Sequence, residues 1–597
     1  MSKVKDIERY GYYIKQPKNN SVNVDELDIP IIQKKIIVNR LLPNKDYSVD
    51  ELTYMYYNTY KLTNNISKLK DIDKASSLLI KHIENNKHIC VVVDYDSDGV
   101  NSGVVLYRSL FNIFGVNKNN LTVIVNRRRD GNGFNHTLVN RILEVNSNHK
   151  IDLLLSADHG SANEEVFKIL KTYNIELLIT DHHLIPENNY PTSADVFINP
   201  MRVDSEYSKD VSGCFVAFIL LVNTYTKMYN NDLRIFNNII PYVAISTVTD
   251  VMSLQLPINR YIVKLGINEI NSFRNKAWIA IKHILGVPGK FNTKDLGFKL
   301  GPLINTANRV GREDLAFELL KTDDFNTVEK IASELSKLSI LRKSVTKTAM
   351  VDVNKQLANN NSCSSAVTTI NTDYAINGIV AANVGSSRNL PSVCFLDSTD
   401  SRNILVGSCR GIVDGIDVMG IFNNINNTDE TILIKYGGHK GAAGCSIHAD
   451  KLDLFKTLFN KYAKEQFTNI DIKKDRHVDL FVQDYHINPS LAKSIDACSP
   501  YGKDWEEPVL LTKVAVEYVT VMGTIAKILF RRRNNTTFTA THFFSSPSGV
   551  NINNIKTILK PKSKVYLAFT IGIDCYLDTQ DMLVSVVDIS VIKDDDE

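Results

Sequence analysis

Three short apolar runs in this chain stop abruptly at acids or imidazoles, and that pattern constrains the fold more than any other feature. Residues 91–93 run into Asp94, Asp96 and Asp98, three acids spaced two apart. Residues 151–157 end at Asp158 and His159, and residues 175–180 end at Asp181, His182 and His183. A fourth apolar stretch, 244–249, is read as another strand and ends at Asp250. Consecutive strand residues point to opposite faces, so an acid and two imidazoles in a row converge only if the strand stops and the backbone turns. Between the first three runs lie segments with helical spacing, such as Val104, Leu106, Leu110, Ile113 and Phe114. Strands alternating with helices of this length predict a parallel sheet with right-handed crossovers. All strand C-termini then share one edge, where such sheets bind ligands. Asp94, Asp96, Asp158, His182, His183 and Asp250 are therefore expected in one cleft.

Carboxylates with one or two imidazoles and no thiolate make a hard-to-borderline donor set that suits Mn²⁺ or Mg²⁺. So many acids repel one another unless cations neutralise them. Two ions roughly 3.5–4 Å apart, activating a water for phosphoester hydrolysis, are the usual solution. Each residue also has a blander reading. A single Asp after a strand is commonly a helix cap or turn former, and Asp98 is read as a possible cap of the helix that starts near Val100. His159 reads either as a bulky turn residue or as a metal contact. The convergence of several strand ends, not any one residue, carries the metal site.

A chain of 597 residues predicts three or four domains, each with its own core. No apolar run approaches 18 residues and no N-terminal export signal is found, so a cytoplasmic protein with no membrane association is expected. The eight cysteines are scattered without a Cys-x-x-Cys pair, which excludes a disulfide framework and a structural zinc site. A net charge of +3 decides little, because an acidic cleft masks basic surface elsewhere.

Along the chain, residues 1–85 read as an N-terminal extension with a Tyr-rich, helical segment at 52–60. Residues 86–265 read as the α/β catalytic domain, 266–358 as a helical connector, 359–465 as a second α/β domain and 466–597 as a strand-rich domain. The connector includes one long helix, from about 326 to 357, without Gly or Pro. Gly437, Gly438, His439, Lys440 and Gly441 follow an apolar run and are expected to precede a helix. Such a loop lets backbone amides approach an anion, with His439 and Lys440 adding charge; the alternative is an ordinary turn.

Asp94-Tyr-Asp-Ser-Asp-Gly99, Asp158-His-Gly160, Asp181-His-His183 and Asp250 resemble the four successive motifs of the DHH phosphoesterase superfamily. Further segments are similar to its RecJ branch, the single-strand-specific 5′→3′ DNA exonucleases. They are Arg127 with the Gly-x-Gly at 131–133, the helix start around Gly213, the Gly301–Gly311 segment, Ser408 with Arg410, and the Gly-Gly-His at 437–439. The similarity spans roughly residues 50–510, in the family's order. It implies a DHH catalytic domain, a DHH-associated domain and a C-terminal OB-like barrel entered through Pro500-Tyr-Gly-Lys-Asp-Trp-Glu-Glu-Pro508. Residues 376–384 and 411–415 depart from the family's pattern.

The resemblance implies Asp94, Asp96, Asp158, His182 and Asp250 as ligands of Mn²⁺ or Mg²⁺, with His183 beside the scissile phosphate and Asp158 in the catalytic set. It further implies Arg127, Gly438 and His439 as nucleic-acid contacts, and Arg309, Ser408 and Arg410 as a pocket for a 5′-terminal phosphate. In the barrel, residues 531–533 with Phe530, Phe538, Phe543 and Phe544 offer cations and aromatic faces to a single strand; the alternative is a barrel with a solvated Arg cluster. The function expected is processive 5′→3′ hydrolysis of single-stranded DNA to 5′-mononucleotides. Expected partners are the DNA strand and a single-strand-binding protein or helicase. Two other functions remain open: a phosphodiesterase of oligoribonucleotides or cyclic dinucleotides, which the extra C-terminal region argues against, and a non-catalytic replication scaffold, which retention of every ligand argues against.

Overall fold

The structure, a computed structural model, describes residues 7–15, 24, 27–41, 47–48, 50–53, 62–128, 133–186, 189–229, 232–358, 364–372, 375–397, 403–413, 415–468, 476–523, 525–543, 554–574 and 581–592. Chain contacts divide it into two compact units. The first is Met1–Asn305 with Glu313–Ala332 and Lys474–Glu597; the second is Thr306–Arg312 with Ser333–Lys473. Most of the Tyr-rich stretch at 52–60 lies outside the described residues, as do 129–132 of the Arg127 segment and Phe544.

The first unit begins with strand β1 (Tyr12–Ile14), helix α1 (Ile31–Val38) and helix α2 (Ile72–Glu84). Its central sheet holds β2 (Ile89–Val93), β3 (Leu121–Val125), β4 (Leu153–Ala157), β5 (Glu176–Thr180) and β6 (Val196–Ile198), in the order β3-β2-β4-β5-β6. Every neighbouring pair is parallel, as the alternating pattern predicts. Helices α3 (Ser97–Asn112), α4 (His136–Asn148) and α5 (Glu164–Lys171) make the crossovers. All residues of β2 and β4 are buried, which explains runs with no polar alternation. The chain leaves β2 for one side of the sheet and returns as β4 on the other. That switch point opens a crevice at the C-terminal ends of β2 and β4, where Asp94, Asp96 and Asp158 stand.

Two further helices close over the sheet, α6 (Gly213–Tyr229) and α7 (Ile240–Thr249), followed by α8 (Pro257–Ser272). Helix α7 corrects one expectation: residues 244–249 are not a strand, and Asp250 is the C-cap residue of a helix. Residues 240–247 are all buried, so no polar stripe marks the helical period, and a short, wholly apolar helix looks like a buried strand. The remaining strand of the sheet is β6 instead.

Helix α9 (Gly301–Arg309) ends in the second unit, and α10 (Phe325–Ala358), the long helix expected from the sequence, continues into it. That unit has a five-stranded sheet in the order β10-β11-β9-β8-β7, with β7 (Ala366–Ile370), β8 (Ser392–Asp397), β9 (Ile404–Arg410), β10 (Leu433–His439) and β11 (Ala442–His448). Helix α11 (Asn377–Arg388) and the end of α10 form a core on one face. Helices α12 (Val418–Thr428) and α13 (Leu452–Phe467) form a core on the other. The Gly-rich segment is a second correction. No helix follows it; Gly437, Gly438 and His439 end β10 and lead by a tight hairpin into β11. Gly438 has φ +143° and a Cβ there would lie 2.5 Å from the Ala442 carbonyl, so the hairpin itself requires glycine.

Strand β12 (Arg476–Val478) returns the chain to the first unit, where it pairs in parallel with β1. The barrel follows with β13 (Leu480–Phe481), helix α14 (Pro489–Asp496), β14 (Leu510–Met522), β15 (Ile525–Arg531), β16 (Thr537–Phe543), β17 (Lys564–Asp574) and β18 (Asp581–Val591). Its order is β13-β14-β15-β16-β18-β17, and pairing of β14 with β17 closes it. Phe530 and Phe538 lie in the barrel core and offer no face to a strand. Arg532 stacks over Phe538 at 4.8 Å and donates to the Ile487 carbonyl at 2.8 Å, while Arg531 pairs with Glu517 at 2.6 Å. Of the expected aromatic platform only Phe543 is exposed among the described residues.

Candidate metal centre

Each acid of the crevice is placed by a different element. Asp96 is the N-cap of α3: its Oδ1 accepts from the amides of Asp98 at 2.9 Å and Gly99 at 3.1 Å, which leaves its second oxygen free to face the crevice. Asp158 follows β4 with φ +64°, a left-handed turn that ends the strand and redirects the side chain. Asp250 ends α7, whose last turn is tied to α3 by the Thr249 hydroxyl donating to Ser97 Oγ at 2.9 Å. His182 and His183 turn out of β5.

Three overlapping groups result: Asp94, Asp96 and Asp158; Asp158, His182 and His183; and Asp98, His182 and Asp250. Within each group the potential ligand atoms lie within 4.8 Å of one another. The hydrogen bonds divide the labour. His182 Nδ1 bonds to the Val211 carbonyl at 2.9 Å, so that nitrogen carries the proton and the Nε2 lone pair faces the acids. Nε2 lies 3.2 Å from Asp158, 3.6 Å from Asp250 and 3.7 Å from Asp98. Buried oxygens of Asp94, Asp158 and Asp250 (Oδ1, Oδ1 and Oδ2) have no hydrogen-bond partner. Orphaned buried carboxylate oxygens are costly; two of these face the His182 lone pair and the third, on Asp94, groups with Asp158 and Asp96, a donor set that fits Mn²⁺ or Mg²⁺.

The electrostatics point the same way. Burial, then the charge of Asp96, pushes Asp94 up to about 7. Burial with the Asp98 and Asp96 charges pushes Asp250 to about 9, and burial with four neighbouring acids raises Asp158 well above the usual carboxylate range. Without cations these groups cannot all be ionised together.

Two acids of the motifs do something else. Asp98 does not cap α3, since Asp96 fills that position. Its carboxylate accepts from the Gly213 amide at 2.8 Å, the Cys214 amide at 3.0 Å and the Ser246 hydroxyl at 2.5 Å. The positive end of α6 is thereby seated against the crevice. Asp181 is buried and its Oδ1 accepts from the His182 amide at 2.7 Å, the His183 amide at 3.2 Å and His183 Nδ1 at 2.8 Å. Although burial opposes ionisation, the bond from His183 outweighs it and Asp181 stays charged. Asp181 is thus an orienting group: it turns His183 Nε2 outward, and Asp181, with Asp94 and Asp250, raises the His183 imidazole to about 10 against burial. His159 is a core residue, stacked on Phe134 at 4.4 Å and 3.2 Å from the Val92 carbonyl; burial lowers it to about 4, so it stays neutral.

Sequence reasoning missed Asn126, whose side chain hydrogen-bonds Asp94, and read Gly213 only as a helix start, whereas a Cβ there would lie 2.6 Å from Asp158 Oδ1.

The other expected contacts fall in two places. Arg127 follows β3 in the first unit, and neighbouring Arg128 stacks over Tyr95 at 5.5 Å. In the second unit, Arg309 Nη1 donates to the Ala375 carbonyl at 2.8 Å, just before α11, and Arg410 Nη1 donates to Ser408 Oγ at 3.0 Å. A Cβ on Gly378, in the first turn of α11, would lie 2.9 Å from Arg410 Nη2. Across the sheet, Arg410, Ala442 and His439 stand in one row and Ser408, Gly444 and Gly437 in the next. Opposite residues of antiparallel strands share a face, so Ser408, Arg410 and His439 line one strip, while Gly438, opposite Ala443, belongs to the alternate row.

Residues 88–247 match the DHH family, N-terminal domain, and residues 478–588 match the RecJ OB domain. The chain carries a DHH N-terminal domain and a RecJ-type OB domain. It is 26% identical over 471 residues to the single-stranded-DNA-specific exonuclease RecJ of Haemophilus influenzae, covering 75% of this chain and 79% of that one. The Escherichia coli exonuclease RecJ is 25% identical over 462 residues, covering 74% and 78%. In fold the chain is similar to the crystal structure of RecJ from Thermus thermophilus in complex with Mn²⁺, with a TM-score of 0.71 over 95% of this chain and 79% of that one, at 21% identity. The match to the DHH domain spans every acid of the cluster except Asp250, three residues beyond its end, and the match to the OB domain falls on the closed barrel.

Proposed function

We infer that this chain is a metal-dependent exonuclease that hydrolyses phosphodiester bonds of single-stranded DNA. The observation that carries the reading is the set of three partnerless buried carboxylate oxygens, two of them, on Asp158 and Asp250, 3.2 and 3.6 Å from His182 Nε2, and the third on Asp94, which groups with Asp158 and Asp96. The relatives named above act on single-stranded DNA, and the barrel is the module that holds such strands in many proteins. Asp94, Asp96, Asp158, His182 and Asp250 would hold Mn²⁺ or Mg²⁺, two ions by the number of acids. When bound, the metals supply an activated water and neutralise charge on the phosphate. His183, held by Asp181 with Nε2 outward, donates a hydrogen bond to the scissile phosphate. Asp98 keeps α6 seated, so that Gly213 leaves room for Asp158.

In the same reading Arg309, Ser408, Arg410 and His439 take the 5′-terminal phosphate, Gly438 lets the hairpin close, and Arg127 holds the strand backbone. A held 5′ end gives 5′→3′ polarity and 5′-mononucleotide products. The cytoplasm is the compartment of action, and a helicase or single-strand-binding protein is the partner class that presents such strands. Among the described residues no helix is long and apolar enough to cross a membrane.

The test is degradation of 5′- and 3′-labelled single strands, duplex DNA and RNA by the wild type and by Asp158→Ala, with Mn²⁺, Mg²⁺ or EDTA. Mononucleotides released from the 5′ end of single-stranded DNA, and lost with EDTA or in the variant, are expected. Preference for RNA or for 3′ ends, or no metal-dependent cleavage at all, would overturn the reading.

A further inference from the structure

Lys503 belongs to the loop that leads into the barrel, and none of the roles above uses it. The loop is fixed at several points to the segment that follows Asp250. The Leu254 amide donates to the Lys503 carbonyl at 2.9 Å. Gly502 and Trp505 exchange backbone hydrogen bonds at 3.0 and 3.2 Å, and Asp504 between them takes a left-handed φ of +59°. Trp505 is buried, and Arg260 from α8 stacks over it at 4.2 Å while donating to the Pro500 carbonyl at 2.8 Å. The root of Lys503 is therefore rigid. Its side chain is exposed, in no ion pair among the described residues. Leu254 lies four residues past Asp250, so its hydrogen bond to Lys503 sets this loop beside the end of the acid cluster, where the Lys503 charge acts on Asp250.

A lysine rooted rigidly beside a cluster built for cations cannot gain by pairing with those acids once metals neutralise them. A phosphate brought to the metals is the group that satisfies it. We propose that Lys503 is a positioning residue that binds a backbone phosphate next to the scissile one, so that the barrel loop sets the strand's register on the metal centre. This rests on the exonuclease reading. A flexible ammonium suits the task, because it serves any sequence and tolerates small changes of pose, unlike a bidentate guanidinium.

The test compares wild type with Lys503→Ala and Lys503→Arg. Binding of a fluorescent single strand is followed by anisotropy with Ca²⁺ in place of Mn²⁺, so that the acids are neutralised without turnover, across about 50–200 mM salt, and steady-state cleavage is followed in Mn²⁺. Lys503→Ala is expected to weaken binding and raise KM by about three- to tenfold at the lower salt. Its plot of log affinity against log salt should be shallower by about 0.7, the slope of one single-strand phosphate contact. The kcat and the Mn²⁺ activation midpoint should hold, and Lys503→Arg should restore most of the affinity. An unchanged salt slope and KM, or a shifted Mn²⁺ midpoint with KM unchanged, would overturn the proposal. A wild type that binds with the expected slope difference but cleaves nothing would sink the exonuclease reading and leave the phosphate contact standing.

Discussion

Acids at neighbouring strand ends do unlike things in this protein, and their hydrogen bonds tell them apart. Asp158 keeps an oxygen without a partner, whereas Asp181 spends Oδ1 on His182 and His183 and Oδ2 on the Ser161 amide at 2.9 Å. Substituting Asp181→Asn should therefore spare strand binding and cut kcat about ten- to hundredfold, the usual cost of removing a histidine's orienting carboxylate. Strand affinity and kcat measured together check this. The crowded acids also set a pH dependence. Asp94 titrates near 3.8 when unfolded but at about 7 when folded, so the folded state binds the extra proton between those values. Stability of the metal-free protein should then fall as pH rises from about 4 to about 7. Saturating Mn²⁺ at neutral pH should raise the unfolding free energy, by about 2.7 kcal/mol at a hundred times its Kd; denaturant melts at several pH values, with and without Mn²⁺, follow both effects. The ligands were legible in the sequence because each ends an apolar run. The separate tasks of Asp98 and Asp181 were not, because their partners, Gly213, Cys214, Ser246 and Ser161, lie far away in the chain.

Helix α6 shows how a single element can tune the centre. Its first two amides sit on Asp98, and its first residue lies against Asp158 with no room for a side chain. A Gly213→Ala change puts a carbon 2.6 Å from Asp158 Oδ1 and 2.8 Å from its Cα, so the helix start must shift. It should destabilise the fold by about 1–3 kcal/mol, as overpacking does, and weaken Mn²⁺ binding by about tenfold or more; calorimetric titration of Mn²⁺ reads the second effect. The same element scale explains where the sequence misled. The parallel strands β2, β4 and β5 were legible from short apolar runs between helical spacings. Helix α7 is apolar on every side and carried no period to separate it from a strand, and the glycines of β10 suggested a loop where a hairpin stands.

Across the first unit, a buried cation joins the catalytic domain to the barrel. Arg260 donates to the carbonyls of Cys498, Ser499 and Pro500 and lies over Trp505, while Arg40, just after α1, pairs with buried Asp479 at 2.9 Å. Arg260→Ala would leave those carbonyls unsatisfied in the interior. A cost of about 3–5 kcal/mol is expected, with unfolding split into separate transitions of sheet and barrel, as seen by Trp505 fluorescence against far-ultraviolet dichroism. The sequence showed the barrel through its strand alternation. It could not show that the N-terminal extension is part of the same packing, since Ile36 enters the barrel core and Ile37 joins Leu254 and Trp505 only after the chain has folded back.

That return has a consequence for synthesis. Strand β1 pairs with β12, and the Tyr12 hydroxyl reaches the Asp588 carboxylate at 2.7 Å across 576 residues of chain. A ribosome adding about 5–20 residues per second makes the first strand wait on the order of half a minute to two minutes for its partner. During that time its unpaired edge and the apolar side of α1 lie open. A ribosome that stalls before the barrel thus releases a chain that advertises its own incompleteness to proteases at its first residues.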